Sequence, residues 1–380
     1  MRAPDDPAAS IRIPPGASPR TWLLLGDKRG DNGQVEIVEK ALGWVCERKS
    51  ISVREPYIVG KPKVAASLHH IDLSRSDPLE PPWPDLIITI GRRPSMAALW
   101  IREQSKGHTK IVLLGKPSGR LESFDLVIPS AEARLPPLPN VLPITLPLMR
   151  MNEAAITAAV VAWKPRLAGL PRPLIAFLVG GPTKPFAFDA TVAHRLLDAV
   201  GKMAADTGGT PYITTSRRTP PAVVDALRAR LPTGAHLFQW TPGATENPYL
   251  GLLGLADGFV VTGDSISMMV EVARLRKPLA IFELPLDRLG LLGQPHRSLA
   301  RFLFAPVAGS LKDRLRRQLT KAAYYSGFIR QTRDFKAFHE LLIGRGLAVR
   351  FGDDLRPPEG EVPDDLPMVV ARIKALMNSC

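Results

Sequence analysis

The sequence predicts an α/β protein of two Rossmann-like domains facing each other across a cleft, with C-terminal helices packing across both. Three observations carry that expectation. Short apolar runs such as residues 86–90, 174–179 and 259–261 alternate with amphipathic helical stretches, and strands that alternate with helices build parallel sheets. The plan occurs twice, before and after the Pro-rich segment LAGLPRP at 167–173. A chain of 380 residues also exceeds the size at which a single core stops growing.

The expected division is a Pro-rich disordered lead at 1–20, a first domain at 21–165, a second at 170–310 and a helical tail at 311–380. In the first domain a strand at 22–25 runs through the loop GDKRGDNGQ (26–34) into a helix with Val35, Val38, Ala41, Leu42 and Val45 on one face. Short strands at 51–53 and 58–59 follow, then a strand at 86–90 ending in GRRPS and a helix at 96–104. Strands at 111–114 and 126–128, a Pro-rich stretch at 136–147 and a helix at 152–161 complete the half.

The second domain opens with a strand at 174–179 that runs into GGPTKP (180–185) and a helix at 191–205. A strand at 211–215 ends in SRRTP, a short echo of GRRP, before a helix at 222–231 and a strand at 237–240. The strand at 259–261, the turn at Gly263 and Asp264, a helix at 267–275 stopped by Lys277 and Pro278, and a strand at 279–282 form one βαβ unit. Beyond residue 311 the sequence is basic and helical, with helices expected at 335–343 and 368–377 around an acidic Pro-rich linker.

Composition narrows the class. The formal net charge of +14 attracts anionic lipid or phosphorylated substrates, but no Lys/Arg block with interleaved aromatics supports a nucleic-acid partner. Cys46 and Cys380 are too few and too far apart for a disulfide framework, which fits a reducing compartment. The seven His residues lack ligand spacing, so no metal site is predicted. No secretory signal or run of 18 apolar residues occurs, so the expected location is cytoplasmic, with peripheral contact at the inner membrane left open.

Two turns carry candidate chemistry. Gly263 permits a sharp turn and Ser265 or Ser267 caps the next helix, leaving backbone N–H groups that favour an anion such as a diphosphate. Glu271 lies four residues after Ser267 on the same face, within reach of ribose hydroxyls; an ordinary capped helix with a solvated Glu explains the same residues. In the loop at 26–34, Asp31 is a better-placed general base than Asp27, and it also reads as an N-cap among turn glycines. Neither GxGxxG after an early strand nor GxxxxGK[ST] is present, against a dinucleotide dehydrogenase and a P-loop NTPase.

Taken in order, GDNGQ (30–34), VGGPTKPF (179–186), TSRRTP (215–220), ENPYLGLLGLAD (246–257) and VTGDSISMMVEVA (261–273) resemble the ELM1 family over roughly residues 21–350. That family is named for a plant mitochondrial-fission factor, and its bacterial members are described as glycosyltransferases of the GT-B type. The second half also resembles, more remotely, the nucleotide-sugar half of MurG-like enzymes.

The resemblance implies metal-independent transfer of a sugar from a nucleoside-diphosphate donor, bound as substrate with no further cofactor, to an unknown glycan or lipid-linked acceptor. It places Gly180, Gly181 and Thr183 near phosphate, Ser265 and Ser267 at the helix-end contact, Glu271 on ribose, and Arg217 beside the leaving diphosphate. Ser216, Arg218, Asn247, Gly263 and Asp264 complete the donor set, Arg218 being equally readable as a surface residue. Gly30, Asp31 and Asn32 form the acceptor side, with Asp31 as base. Many bacterial relatives carry Gly-His where this chain has Gly30-Asp31, and an acidic-His pair near PSAEAR (129–134), so the donor half is the better supported. A nucleotide-sugar epimerase or hydrolase, or a non-catalytic adaptor acting at membranes, is the alternative on the same fold.

Overall fold

The computed structural model describes residues 18–59, 63–117, 121–244, 246–304, 311–326 and 333–378. Residues 1–17 of the expected lead and Cys380 lie outside the described residues. In chain order the first elements are β1 (Thr21–Leu25), α1 (Arg29–Leu42), β2 (Cys46–Ser50), α2 (Pro56–Val59), β3 (Leu86–Ile90), α3 (Arg92–Gln104), β4 (Lys110–Leu114) and β5 (Leu126–Ile128). Next come α4 (Glu153–Leu167), β6 (Leu174–Val179), α5 (Ala190–Thr207), β7 (Thr210–Thr215), α6 (Pro221–Ala229), β8 (His236–Phe238), α7 (Tyr249–Leu255), β9 (Gly258–Thr262), α8 (Ile266–Arg274) and β10 (Leu279–Phe282). The last are α9 (Arg288–Leu292), α10 (Gln294–Leu303), α11 (Leu311–Tyr325), α12 (Phe335–Gly344), β11 (Val349–Arg350) and α13 (Leu366–Asn378).

The chain divides into two compact units. The first holds 1–149, 301–332 and 364–380, the second 150–300 and 333–363. The tail is therefore shared out, with α11 and α13 in the first unit and α12 and β11 in the second. The second unit takes α4 because Gly251 and Gly254 of α7 leave room for it; a Cβ at either would overlap Trp163 or Val160.

Each unit is a sheet of parallel strands. The first has the order β2-β1-β3-β4-β5, the second β11-β10-β9-β6-β7-β8. Both are doubly wound Rossmann-like orders, in which the chain leaves the first strand in one direction and later returns to its other side. The switch points lie between β1 and β3 and between β6 and β9, and ligands in such sheets bind beyond the carboxyl ends of the strands there.

The strands read as unbroken apolar runs because helices cover both faces of each sheet. In the first unit Leu23, Leu25, Ile88 and Val112 pack against Val35 and Val38 of α1 and Val369 and Ile373 of α13. Their neighbours in sequence, Trp22, Leu24, Ile87 and Ile111, face the other way onto Ala97, Ala98 and Ile101 of α3. In the second, Ile175, Phe177, Val179 and Val260 meet Val192, Leu196 and Val200 of α5 and Val223 and Leu227 of α6.

Two local expectations are corrected. The second strand is CERKS, Cys46–Ser50, at the sheet edge, with Ile51 buried just after it, and 58–59 belongs to α2. An edge strand with mostly exposed side chains carries no apolar run to find. Helix α1 begins at Arg29, six residues before the predicted start, so Gly30, Asp31 and Asn32 lie in its first turn. The Asn32 N–H bonds the Lys28 carbonyl at 3.0 Å, and its side chain ties back to both the N–H and the carbonyl of Gly26 at 3.2 and 2.7 Å. Those bonds offset the glycines' low helix propensity.

Gly254→Val drives a side chain into Val160 of α4. A loss of about 1–3 kcal/mol is expected from such overpacking in urea denaturation, whereas Gly169→Ala, with open space around it, should stay within about 0.5 kcal/mol of the parent.

Candidate functional site

At the carboxyl ends of β6, β7 and β9, three turns converge on one buried carboxylate. The Asp264 side chain is 0% exposed and pairs with Arg218 Nη2 at 3.0 Å, the Arg218 side chain remaining 44% exposed. Asp264 also accepts from the Gly181 N–H at 2.9 Å, the Thr262 hydroxyl at 2.7 Å and the Ser265 hydroxyl at 3.1 Å. The Gly180 N–H donates to Thr262 Oγ1 at 2.9 Å, and the Gly180 carbonyl accepts from Ser216 at 3.0 Å and Thr219 at 2.6 Å. Arg218 Nη1 reaches Thr183 Oγ1 at 2.7 Å.

Glycine is required at this crossing. A Cβ on Gly180 would overlap Ser265 Oγ and the Asp264 carboxylate, and one on Gly181 would overlap the Arg218 backbone. Gly263 is held from another direction: His339 of α12 is buried with Nε2 at 2.8 Å from the Gly263 carbonyl, which fixes the Nε2–H tautomer.

The structure thus brings Gly180, Gly181, Thr183, Ser216, Arg218, Gly263, Asp264 and Ser265 together, in a network that bonds mostly to itself. The amides of Gly180 and Gly181, expected beside phosphate, are taken by Thr262 and Asp264. The donors left for an anion are the first-turn N–H groups of α8, where Ser265 makes no side-chain cap bond, and the exposed Ser267 hydroxyl. Arg217, next to Arg218 in sequence, is exposed and has no ion pair among the described residues.

Glu271 stands one turn along α8 from Ser267, and its Oε2 accepts the buried Tyr249 hydroxyl of α7. Burial pushes the Glu271 carboxyl above its ordinary range, an effect partly offset by that bond. Burial and then the Glu271 charge raise the Tyr249 phenol well above its own. Asn247 lies outside this cluster; its Oδ1 caps the Tyr249 N–H at 2.9 Å, a helix-starting role for a residue expected at substrate.

In the first unit, the β1/β3 switch point carries a cavity of about 50 Å³ lined by Gly26, Lys28, Asp31, Gly91, Arg92 and Arg93 among others. Asp31 sits 3.8 Å from Lys28 Nζ and is partly exposed. A Cβ on Gly91 would lie 3.7 Å from Asp31 Oδ2, so the carboxylate overhangs the turn after β3, where Gly91 has a φ of +88° that favours glycine. Gly30 faces solvent on α1, and the Asn32 side chain is committed to Gly26.

Sequence reasoning missed Thr262, Thr219 and His339, and it read Tyr249, with Trp240, as an aromatic that packs against a nucleotide base or in the core, where the structure makes Tyr249 the hydrogen-bond partner of Glu271. Both threonines lie within quoted motifs, Thr219 in TSRRTP and Thr262 in VTGDSISMMVEVA, but nothing in those runs marks their hydroxyls as the partners of the Gly180 carbonyl and the Asp264 carboxylate. Tyr249 and His339 reach the site only through folding, His339 from 76 residues away.

Two Rossmann-like units in tandem, each with polar residues gathered at its switch point, define a protein of the α/β class. The chain belongs to the mitochondrial fission ELM1 family, which it matches over residues 29–333. It is 30% identical over 220 residues to the mitochondrial fission protein ELM1 of Arabidopsis thaliana, a match covering 52% of this chain and 51% of the relative, so it spans about half that protein's length. It is 22% identical over 299 residues to the uncharacterized protein RP120 of Rickettsia prowazekii, covering 70% of this chain and 83% of the other. Among solved structures it is similar to the UDP-GlcNAc 2-epimerase of Methanocaldococcus jannaschii, at 10% identity and TM-score 0.49 over 94% of this chain and 99% of that one. It is also similar to Acinetobacter baumannii MurG, at 12% identity and TM-score 0.41 over 94% of this chain and 100% of that one.

The raised Glu271 carboxyl has a defined pH signature. In the folded state it keeps its proton to higher pH than in the unfolded chain, so its stability contribution is lost as pH rises from about 4.3 through the raised value. Urea titrations from pH 4 to 7 should show Glu271→Gln gaining on the parent across that window; a gap constant with pH contradicts the assignment.

Proposed function

We propose that the chain is a glycosyltransferase that binds a nucleoside-diphosphate sugar at the second unit's switch point and passes the sugar to an acceptor hydroxyl, of a glycan or a lipid-linked molecule, at the first. The observation that carries this reading is the first turn of α8: uncapped N–H groups and exposed Ser267 at the end of β9, with Arg217 exposed on the turn after β7. A diphosphate there meets the positive end of a nine-residue helix and a guanidinium not already engaged.

The Asp264 network gives this site its shape. Arg218 balances the buried carboxylate and so keeps its negative charge from facing the incoming phosphates, while Arg217 is left to bind them. As the glycosidic bond breaks, charge grows on the diphosphate, and fixed N–H dipoles with Arg217 stabilise it without a metal. Glu271 has its Oε1 left to accept from a ribose hydroxyl, its other oxygen being held by Tyr249. Asp31 is the base that takes the acceptor's proton, with Lys28, Arg92 and Arg93 around it to hold an anionic acceptor.

A thermal-shift panel of UDP-, GDP-, CMP- and ADP-linked sugars tests the donor site. One donor class should stabilise the protein, by about 2.7 kcal/mol at a hundredfold excess over Kd, and Arg217→Ala should lose most of that shift while melting like the parent without ligand. Absence of any nucleotide-sugar response would falsify the reading. With the donor known, Asp31→Asn should keep the shift and lose about 10²–10⁴-fold in turnover. Product formed without acceptor would reassign the chain as an epimerase or hydrolase, and binding without turnover as an adaptor.

A further inference from the structure

Helix α8 carries one half-buried carboxylate, Glu271, and only its Oε2 has a hydrogen-bond partner among the described residues: the Tyr249 hydroxyl, which donates to it from α7. That partner stands on a clamped element of the same unit. Asn247 Oδ1 accepts the Tyr249 N–H at 2.9 Å at the start of α7, and Lys277 Nζ donates to the Gly254 and Ala256 carbonyls at 3.3 and 3.1 Å at its end. Between them, Gly251 and Gly254 lie so close to Trp163 and Val160 of α4 that a Cβ on either would overlap them. A helix seated this tightly presents its phenol at a fixed place, so the carboxylate it holds gives up rotamer freedom before any ligand arrives.

The same bond bears on the charge of Glu271. The strands on which α8 packs, β9 and β10, carry no charged side chain, and Tyr249 is the one titratable group of α7. On α8 itself the other charge is Arg274, one turn further on, and Lys277 beyond it is bonded to the α7 carbonyls. Burial therefore favours the protonated acid, and the Tyr249 bond opposes it by stabilising the ionised form. An ionised carboxylate only accepts, and a hydroxyl bonds it more strongly than it bonds a neutral acid. An anion with one oxygen held and the other without a protein partner suits a pair of neighbouring hydroxyls such as the ribose diol.

We propose that Tyr249 is a positioning residue for ribose recognition: it fixes Glu271 as the acceptor for the ribose hydroxyls, and through that contact the second unit selects ribonucleotides over nucleotides that lack those hydroxyls. This rests on the donor reading above and adds to it the residue that sets the choice of sugar within the nucleotide.

Titration calorimetry of the full-length chain with UDP, GDP, ADP and CMP, each beside its 2′,3′-dideoxy counterpart, tests this between about pH 5 and 8. At the alkaline end one nucleotide should bind the parent at least about tenfold tighter than its dideoxy form, the scale of one hydrogen bond to a charged group. Tyr249→Phe should cut that ratio at least about fivefold and leave the dideoxy affinity unchanged. As pH falls, the parent's preference should fade when Glu271 takes up its proton; in Tyr249→Phe it should fade at higher pH, because the opposing bond is gone. Glu271→Gln should show a weak preference that does not vary with pH. Adding Tyr249→Phe to Glu271→Gln should then change nothing, a comparison that decides the question even where Tyr249→Phe alone fails to fold. A parent that binds none of the nucleotides removes the donor reading and this inference with it. Where the parent binds one of them, the positioning role alone is overturned by any of three results: no preference for ribose, a ratio that Tyr249→Phe leaves unchanged because both affinities stay or fall alike, or a further loss when Tyr249→Phe is added to Glu271→Gln.

Discussion

The Asp264 carboxylate, shut off from water and bonded to the Gly181 amide, two hydroxyls and Arg218, ties together the turns that leave β6, β7 and β9. A buried carboxylate is tolerable only while its partners are complete, since losing one leaves desolvated charge without compensation. That requirement explains much of the local sequence. Glycine must stand at 180 and 181 because the network leaves no room for a Cβ, and small hydroxyl residues stand at 216, 219, 262 and 265 because each supplies one bond.

The same network divides labour between neighbouring arginines. Arg218 turns inward to Thr183, Asp264 and Ser265, while Arg217 remains at the surface. Identical side chains one position apart thus serve, in this reading, for architecture and for ligand. Helix α8 is split in a similar way: its first turn keeps its donors, and one turn later Glu271 is engaged by Tyr249 from α7.

Both units place their polar residues where a doubly wound sheet reverses direction. In the first, Asp31 belongs to the helix after β1, while Gly91, Arg92 and Arg93 follow β3 on the other side of the switch. Residues 60 positions apart in sequence come together because parallel strands need crossover helices, and those crossovers leave the strand ends uncovered at one place. The tail follows the same logic of covering sheets: β11 extends the second sheet beside β10, and α13 closes a face of the first against α1.

Much of the fold was legible because buried parallel strands are apolar on both faces and their helices repeat every three to four residues; β3, β6, β9 and α5 could be read on that basis alone. Edge strand β2 and the first turn of α1 were not, since exposure removes the apolar signal and glycines disguise a helix whose start is set by Asn32 bonding to Gly26. The sequence by itself determined the tandem α/β plan and which turns carry glycine, hydroxyl and charge. Only the tertiary structure decided which of those groups stay available, because hydrogen-bond partners such as Tyr249 for Glu271 and His339 for Gly263 are chosen by packing across many residues, and neighbours along the chain carry no trace of that choice.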